Sequence, residues 1–183
     1  MKITKTPINE LIILEPKIFG DDRGYFIESF QEKWFIENIS NTKFIQDNES
    51  KSSKGVLRGL HFQIPPFEQA KLVRVIEGEV LDVAVDLRKN SKTYGKHYSV
   101  ILNSTNKKQF FVPRGFAHGF IVLSNTAIFS YKVDNLYSPS HDSGLAWNDE
   151  DLKIDWKINS SLIKLSEKDK IQSKFKDFVT PFS

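Results

Sequence analysis

The chain has 183 residues, 39% of them hydrophobic and 15 of them phenylalanine. That is enough apolar surface for a sizeable core and excludes a disordered chain. Lys and Arg number 26 against 23 Asp and Glu, with the signs alternating as in Glu167-Lys168-Asp169-Lys170, so the concentrated basic face of a nucleic-acid binder is not expected.

Cysteine is absent, which removes disulfides, thiolate catalysis and Cys-ligated zinc together. No apolar run nears the 18 residues of a membrane span, and only Leu11-Ile12-Ile13-Leu14 follows the early Lys2 and Lys5. Without a signal-peptide core, a cytoplasmic protein with no membrane partner is expected.

In chain order, alternation predicts strands over 24–30, 56–63, 71–75, 80–86, 98–102, 109–112, 119–123 and 127–133. Stretches such as Val80-Leu81-Asp82-Val83-Ala84-Val85-Asp86 are rich in β-branched and aromatic residues, and Gly, Pro, Asn and Ser punctuate the gaps. A short amphipathic helix is predicted over 31–38. Ser166 reads as the N-cap of a C-terminal helix running to about 175. With no repeat and no linker, residues 1–183 read as one domain. The fold class is all-β, a sandwich or jelly roll with a small helical margin.

The densest stretch is Val56-Leu57-Arg58-Gly59-Leu60-His61-Phe62-Gln63. Strict alternation sends Arg58, Leu60 and Phe62 to one side and His61 to the other, unless a bulge at Gly59 brings Arg58 and His61 together. An arginine is seldom buried without an anion, so this pairing points to an anion-binding pocket. His118 lies in Pro113-Arg114-Gly115-Phe116-Ala117-His118-Gly119-Phe120, read as a turn entering a strand. His61 has no His two residues on and no Glu before Glu68, so a metal is not expected; His97 and His141 read as surface. Proton transfer remains, with histidine as base and Asp82, Asp86, Asp142 or Asp169 as candidate partners. Tyr131 and Tyr137 are candidate acids or stacking rings.

Taken together, several stretches resemble the dTDP-4-dehydrorhamnose 3,5-epimerases of deoxysugar biosynthesis. They are Asp21-Asp22-Arg23-Gly24-Tyr25-Phe26, Gln46-Asp47-Asn48, Arg58-Gly59-Leu60-His61-Phe62-Gln63, Lys71-Leu72-Val73-Arg74, Gly115-Phe116-Ala117-His118-Gly119-Phe120, Tyr131 to Pro139 and Ser166-Glu167-Lys168-Asp169. The resemblance runs from about residue 3 to about residue 170. It implies a cofactor-free, metal-free cupin-type jelly roll that forms a homodimer by exchanging N-terminal strands. The implied substrate is dTDP-4-dehydro-6-deoxy-D-glucose, inverted at C3 and C5 to dTDP-4-dehydro-L-rhamnose.

By position, the resemblance implies His61 as base with Asp169 orienting it, Tyr131 as acid and Lys71 as the cation near the C4 oxygen. Arg23 and Arg58 match pyrophosphate contacts. Glu28, Gln46, Asp47 and Asn48 match nucleotide contacts, with Arg23 and Glu28 reaching across the dimer. Tyr137 matches the ring stacked on thymine, and His118 and Lys168 match other ligand contacts. Asp142 stands where members often carry Glu. The alternatives are an enzyme inverting C3 or C5 alone on a related 4-keto-6-deoxysugar nucleotide, and a sugar-binding jelly roll without catalysis.

Overall fold

Thirteen strands and two short α-helices follow one another in the computed structural model, which describes residues 1–183. The strands are β1 (Lys2–Lys5), β2 (Ile12–Glu15), β3 (Ile18–Asp21), β4 (Gly24–Ile27), β5 (Gln46–Ser53), β6 (Leu57–Gln63), β7 (Lys71–Glu77), β8 (Glu79–Asp86), β9 (His97–Asn103), β10 (Gln109–Val112), β11 (Phe116–Val122), β12 (Thr126–Val133) and β13 (Asp142–Gly144). The helices are α1 (Glu32–Asn38) and α2 (Glu167–Lys170). One antiparallel sheet has the order β1-β2-β10-β7-β12-β5, the other β13-β6-β11-β8-β9, and β3-β4 stands apart as a hairpin. The two sheets form the expected cupin-type jelly roll. No helix is long and apolar enough to cross a membrane.

Residue parity decides what each strand buries. Val73 and Val75 of β7, Phe110 of β10, Phe129 of β12 and Phe116, Phe120 and Val122 of β11 meet between the sheets. Strand β8 is buried along nearly its whole length because both its faces are covered. Val80 and Ala84 join the core between the sheets. Leu81, Val83 and Val85 face a second cluster, closed by Leu152, Trp156 and Phe182 of the C-terminal segment. The near-continuous apolar run of β8 follows from this double burial, and it makes Asp82, with no exposure at all, conspicuous.

Sequence and structure differ at two informative places. Residues 166–170 hold the predicted cap and helix, with the Asp169 N–H donating to Ser166 Oγ, but the helix stops at Lys170 instead of about residue 175. Beyond it the chain is drawn out against residues 145–149. Ala146 N–H donates to the Ser173 carbonyl at 2.8 Å, and Phe175 N–H to Asp149 Oδ2 at 2.7 Å. At the other place, β11 begins at Phe116, so His118 sits inside a strand and not at a turn. The polar strand β5 has no hydrophobic alternation to reveal it; it is specified by pairing with β12 along its full eight residues.

On the outer face of the six-stranded sheet, α1 is held by Phe35, 1% exposed, packed against Leu14, Leu72 and Phe111. Its ring lies 5.2 Å from Phe111 and 5.3 Å from Phe44, both edge-on. Phe35→Ala should therefore cost about 3–5 kcal/mol. Urea unfolding is expected to show a lower midpoint at an unchanged slope; an unchanged midpoint would mean that α1 does not contribute to the cooperative core.

Candidate active site

The site begins with a bulge. Strand β11 pairs His118 with His61 and Phe120 with Arg58, so one residue of β11, Gly119, faces two of β6, Gly59 and Leu60. At Gly59 the backbone turns to φ +139°, and a Cβ there would meet Gly119 Cα at 2.5 Å; only glycine serves. The extra residue resets the parity of β6. Arg58 and His61, which strict alternation separates, both line one cavity of about 420 Å³.

That cavity lies between the sheets. Tyr131 of β12 and Lys71 of β7 line it from the six-stranded sheet, Arg58, His61 and His118 from the five-stranded one, and Asp169 from α2. His61 turns Nε2 to Asp169 Oδ1, and Asp169, 3% exposed, also accepts from Ser166 Oγ at 2.8 Å. Burial alone raises the Asp169 carboxyl, but His61, Ser166 and Lys168 together hold it below the ordinary carboxylate range. An ionised Asp169 keeps the ring proton on Nε2 and leaves the Nδ1 lone pair as the basic position.

Across the cavity, Tyr131 is half-buried and packs on Phe129, ring centroids 6.1 Å apart, which stacks on Phe120 at 4.0 Å. Burial pushes its phenol up, with Arg58 opposing, so the hydroxyl arrives protonated at neutral pH. Burial brings Lys71 from 10.5 down to about 8, with Asp82 and Asp142 opposing and Lys168 adding to the fall. Behind it, His118 Nε2 lies 2.9 and 3.0 Å from the two oxygens of Asp82. Arg58 Nε donates to Ser52 Oγ at 3.2 Å.

The remaining predicted residues gather in three places outside this cavity. Tyr137 Oη donates to Asp142 Oδ2 at 2.8 Å, and Lys168 Nζ pairs with the same carboxylate. Asp47 and Asn48 line a second hollow with Tyr131, where Gln46 Nε2 donates to Asn48 Oδ1 at 2.8 Å and Lys132 Nζ reaches Asp47 at 2.8 Å. Arg23 and Glu28 are exposed on or beside the β3-β4 hairpin, Arg23 paired with Asp21. Arg114 pairs with Asp134 instead of reaching the cavity, while His97 and His141 stand outside it.

Sequence reasoning missed Ser50, Phe129 and Lys164 in the cavity wall. Ser50 lies on the polar strand β5, which gave no signal, and Lys164 is one lysine among many; the position of Phe129 two before Tyr131 could have marked it. No three His, Asp or Glu side chains converge as metal ligands do.

The position of Lys71 has a direct readout. In a ¹⁵N NMR titration its ammonium should lose its proton near pH 8, well before the exposed lysines. Titration alongside those lysines would mean that Lys71 is solvated and not buried at the cavity.

A family model described as dTDP-4-dehydrorhamnose 3,5-epimerase matches residues 5–177. The dTDP-4-dehydrorhamnose 3,5-epimerase of Shigella flexneri is 51% identical over 178 residues, 97% of either chain. Among solved structures, that of the Elizabethkingia anophelis NUHP1 enzyme of the same name superimposes with a TM-score of 0.92 at 55% identity, covering 97% of both chains. The dTDP-6-deoxy-D-glucose-3,5-epimerase of Legionella pneumophila Philadelphia 1, solved in complex with dTDP-4-keto-L-rhamnose, gives 0.96 at 46% identity, covering 100% of this chain and 98% of that one.

Proposed function

Because this chain belongs to the dTDP-4-dehydrorhamnose 3,5-epimerase family, and is thus an isomerase that epimerises dTDP-4-dehydro-6-deoxy-D-glucose at C3 and C5, we propose that it does so with one acid–base pair acting across the slot between its sheets. The protons on C3 and C5 lie α to the C4 ketone, so removing either gives an enolate with its charge on the C4 oxygen. His61 takes the proton from one face, held by Asp169, and Tyr131 returns one to the other. The Lys71 ammonium faces the C4 oxygen and stabilises the charge as it develops. The observation that carries this reading is the placement of His61 and Tyr131 on opposite sheets around one cavity.

The binding roles follow from chemistry and position. Arg58 at the cavity takes the pyrophosphate, for which a guanidinium fork suits two phosphate oxygens. Tyr137 stacks on thymine, and Gln46, Asp47, Asn48, His118, Asp142 and Lys168 complete the contacts. The β3-β4 hairpin exposes Ile18, Phe19, Tyr25 and Phe26, each 46–66% accessible. A contiguous apolar patch of that kind favours a protein partner. A second copy of the chain, joined by N-terminal strand exchange, would cover it and bring Arg23 and Glu28 to the neighbouring site. Sedimentation at twice the 21.1-kDa chain mass is then expected, and a monomer would remove the role given to those two residues.

Tyr131→Phe tests the acid–base assignment. The ring and its packing on Phe129 survive and only the hydroxyl goes. In D2O, deuterium should still enter the substrate at retained configuration while epimerised product falls by about 10²–10⁴, the scale of general acid–base catalysis. His61→Asn should lose exchange at both carbons. Equal loss of exchange and inversion in Tyr131→Phe would show that Tyr131 is not the opposing acid.

A further inference from the structure

Asp82 is the one carboxylate at this site left without a task. It has no exposure and sits in the middle of β8, where a charge with no partner is costly. The other wholly buried carboxylate, Asp86, is tied to Arg88 at 2.8 Å and accepts from Ser91 and Thr93 at 2.6 Å each. Asp82 has no such arginine. Its hydrogen-bond partner is His118 Nε2, at 2.9 and 3.0 Å from its two oxygens. Burial raises its carboxyl, and His118 together with Lys71, which stands on the opposite sheet, opposes that rise.

We propose that Asp82 is a positioning residue which, as a buried anion, fixes the His118 ring with its proton on Nε2 and holds Lys71 as an ammonium at the cavity. With Nε2–H committed to Asp82, a neutral His118 offers the cavity only the Nδ1 lone pair. It accepts a hydrogen bond from a sugar hydroxyl and does not donate to the C4 oxygen. The oxyanion is therefore left to Lys71, and Lys71 depends on Asp82 for its charge.

The surrounding charges favour this division. Burial keeps His118 towards its neutral form, against the pull of Asp82, so the histidine does not neutralise the carboxylate. The other charges acting on Lys71 are Asp142 from β13 and Lys168 from α2, and these two are paired with each other. Arg58, His61 and Tyr131 line the same cavity, where His61 is turned to Asp169 and Tyr131 is uncharged. Asp82 is left as the counter-charge.

The inference rests on Lys71 being the cation at the C4 oxygen, and the test separates the two. Asp82→Asn keeps an oxygen to accept from His118 Nε2–H and removes only the charge. Asp82 is the foremost charge opposing the fall at Lys71, so removing it lowers that ammonium further; an opposite charge shifts a pKa by about 1–3 units. The alkaline limb of kcat/KM, expected near pH 8 in the wild type, should move down by about one unit or more, with activity recovering as the pH is lowered. Uniform loss with the limb unmoved would overturn the proposal and leave Asp82 a structural residue.

Lys71→Arg should carry the limb upward. A limb that Lys71→Arg moves and Asp82→Asn does not refutes the Asp82 role alone, whereas a limb that neither moves refutes the Lys71 assignment and this inference with it. If Asp82→Asn does not fold, the wild type decides by ¹⁵N NMR. A protonated Nε2 and bare Nδ1 on His118 through pH 7–9 uphold the proposal, and a protonated Nδ1 overturns it.

Discussion

A carbon held in one pose is inverted when a proton leaves from one face and another arrives at the opposite face, which calls for groups on both sides of one ring. Two β-sheets packed face to face provide two such walls. Strand parity then decides which side chains project into the slot: Lys71 and Tyr131 from one sheet, Arg58, His61 and His118 from the other. Much of the molecule maintains those walls. The stacked Phe120 and Phe129 join the sheets beside the cavity, and the C-terminal segment seals the back of the five-stranded sheet through Trp156 and Phe182.

Keeping charged groups in that slot is the second constraint. A buried ion is tolerated where partners satisfy it, and here each has one. Asp169 is held by His61 and Ser166; Asp82, whose carboxyl burial raises, lies against His118 Nε2, with His118 and Lys71 opposing the rise. The two carboxylate–histidine pairs lie side by side, since His61 and His118 are register partners across β6 and β11. They differ in what backs them. Asp169 rides on α2 at the cavity rim beside Lys168, whereas Asp82 is sealed within β8. In the proposed mechanism the first pair moves protons and the second sets charge. A single strand crossing thus serves both the base and the cation.

Much of this was legible in the sequence, for identifiable reasons. Strands such as 80–86 and 127–133 announce themselves through β-branched and aromatic residues, and the N-cap serine at 166 marks the start of α2. The bulge at Gly59 could be foreseen as an option, because only a parity change unites Arg58 with His61. Long-range pairing was harder to read. Strand β5 has no apolar alternation and is recruited by β12. The end of α2 is set by hydrogen bonds to residues 146 and 149 that no local signal encodes. Asp82 showed only as one carboxylate among several, since its importance lies in a side-chain contact with His118, whose register partner on β8 is Ala84.

The central claim is that inversion uses two groups on two walls, and the fate of the abstracted proton reports on it directly. Under single-turnover conditions in D2O, the wild-type enzyme should yield product carrying deuterium at both C3 and C5, because each new proton comes from the wall opposite the one that received the old. Product retaining a substantial share of the substrate's own hydrogen at an inverted centre would mean that one group both removes and returns it. That result would contradict a slot that works through its two opposing sheets.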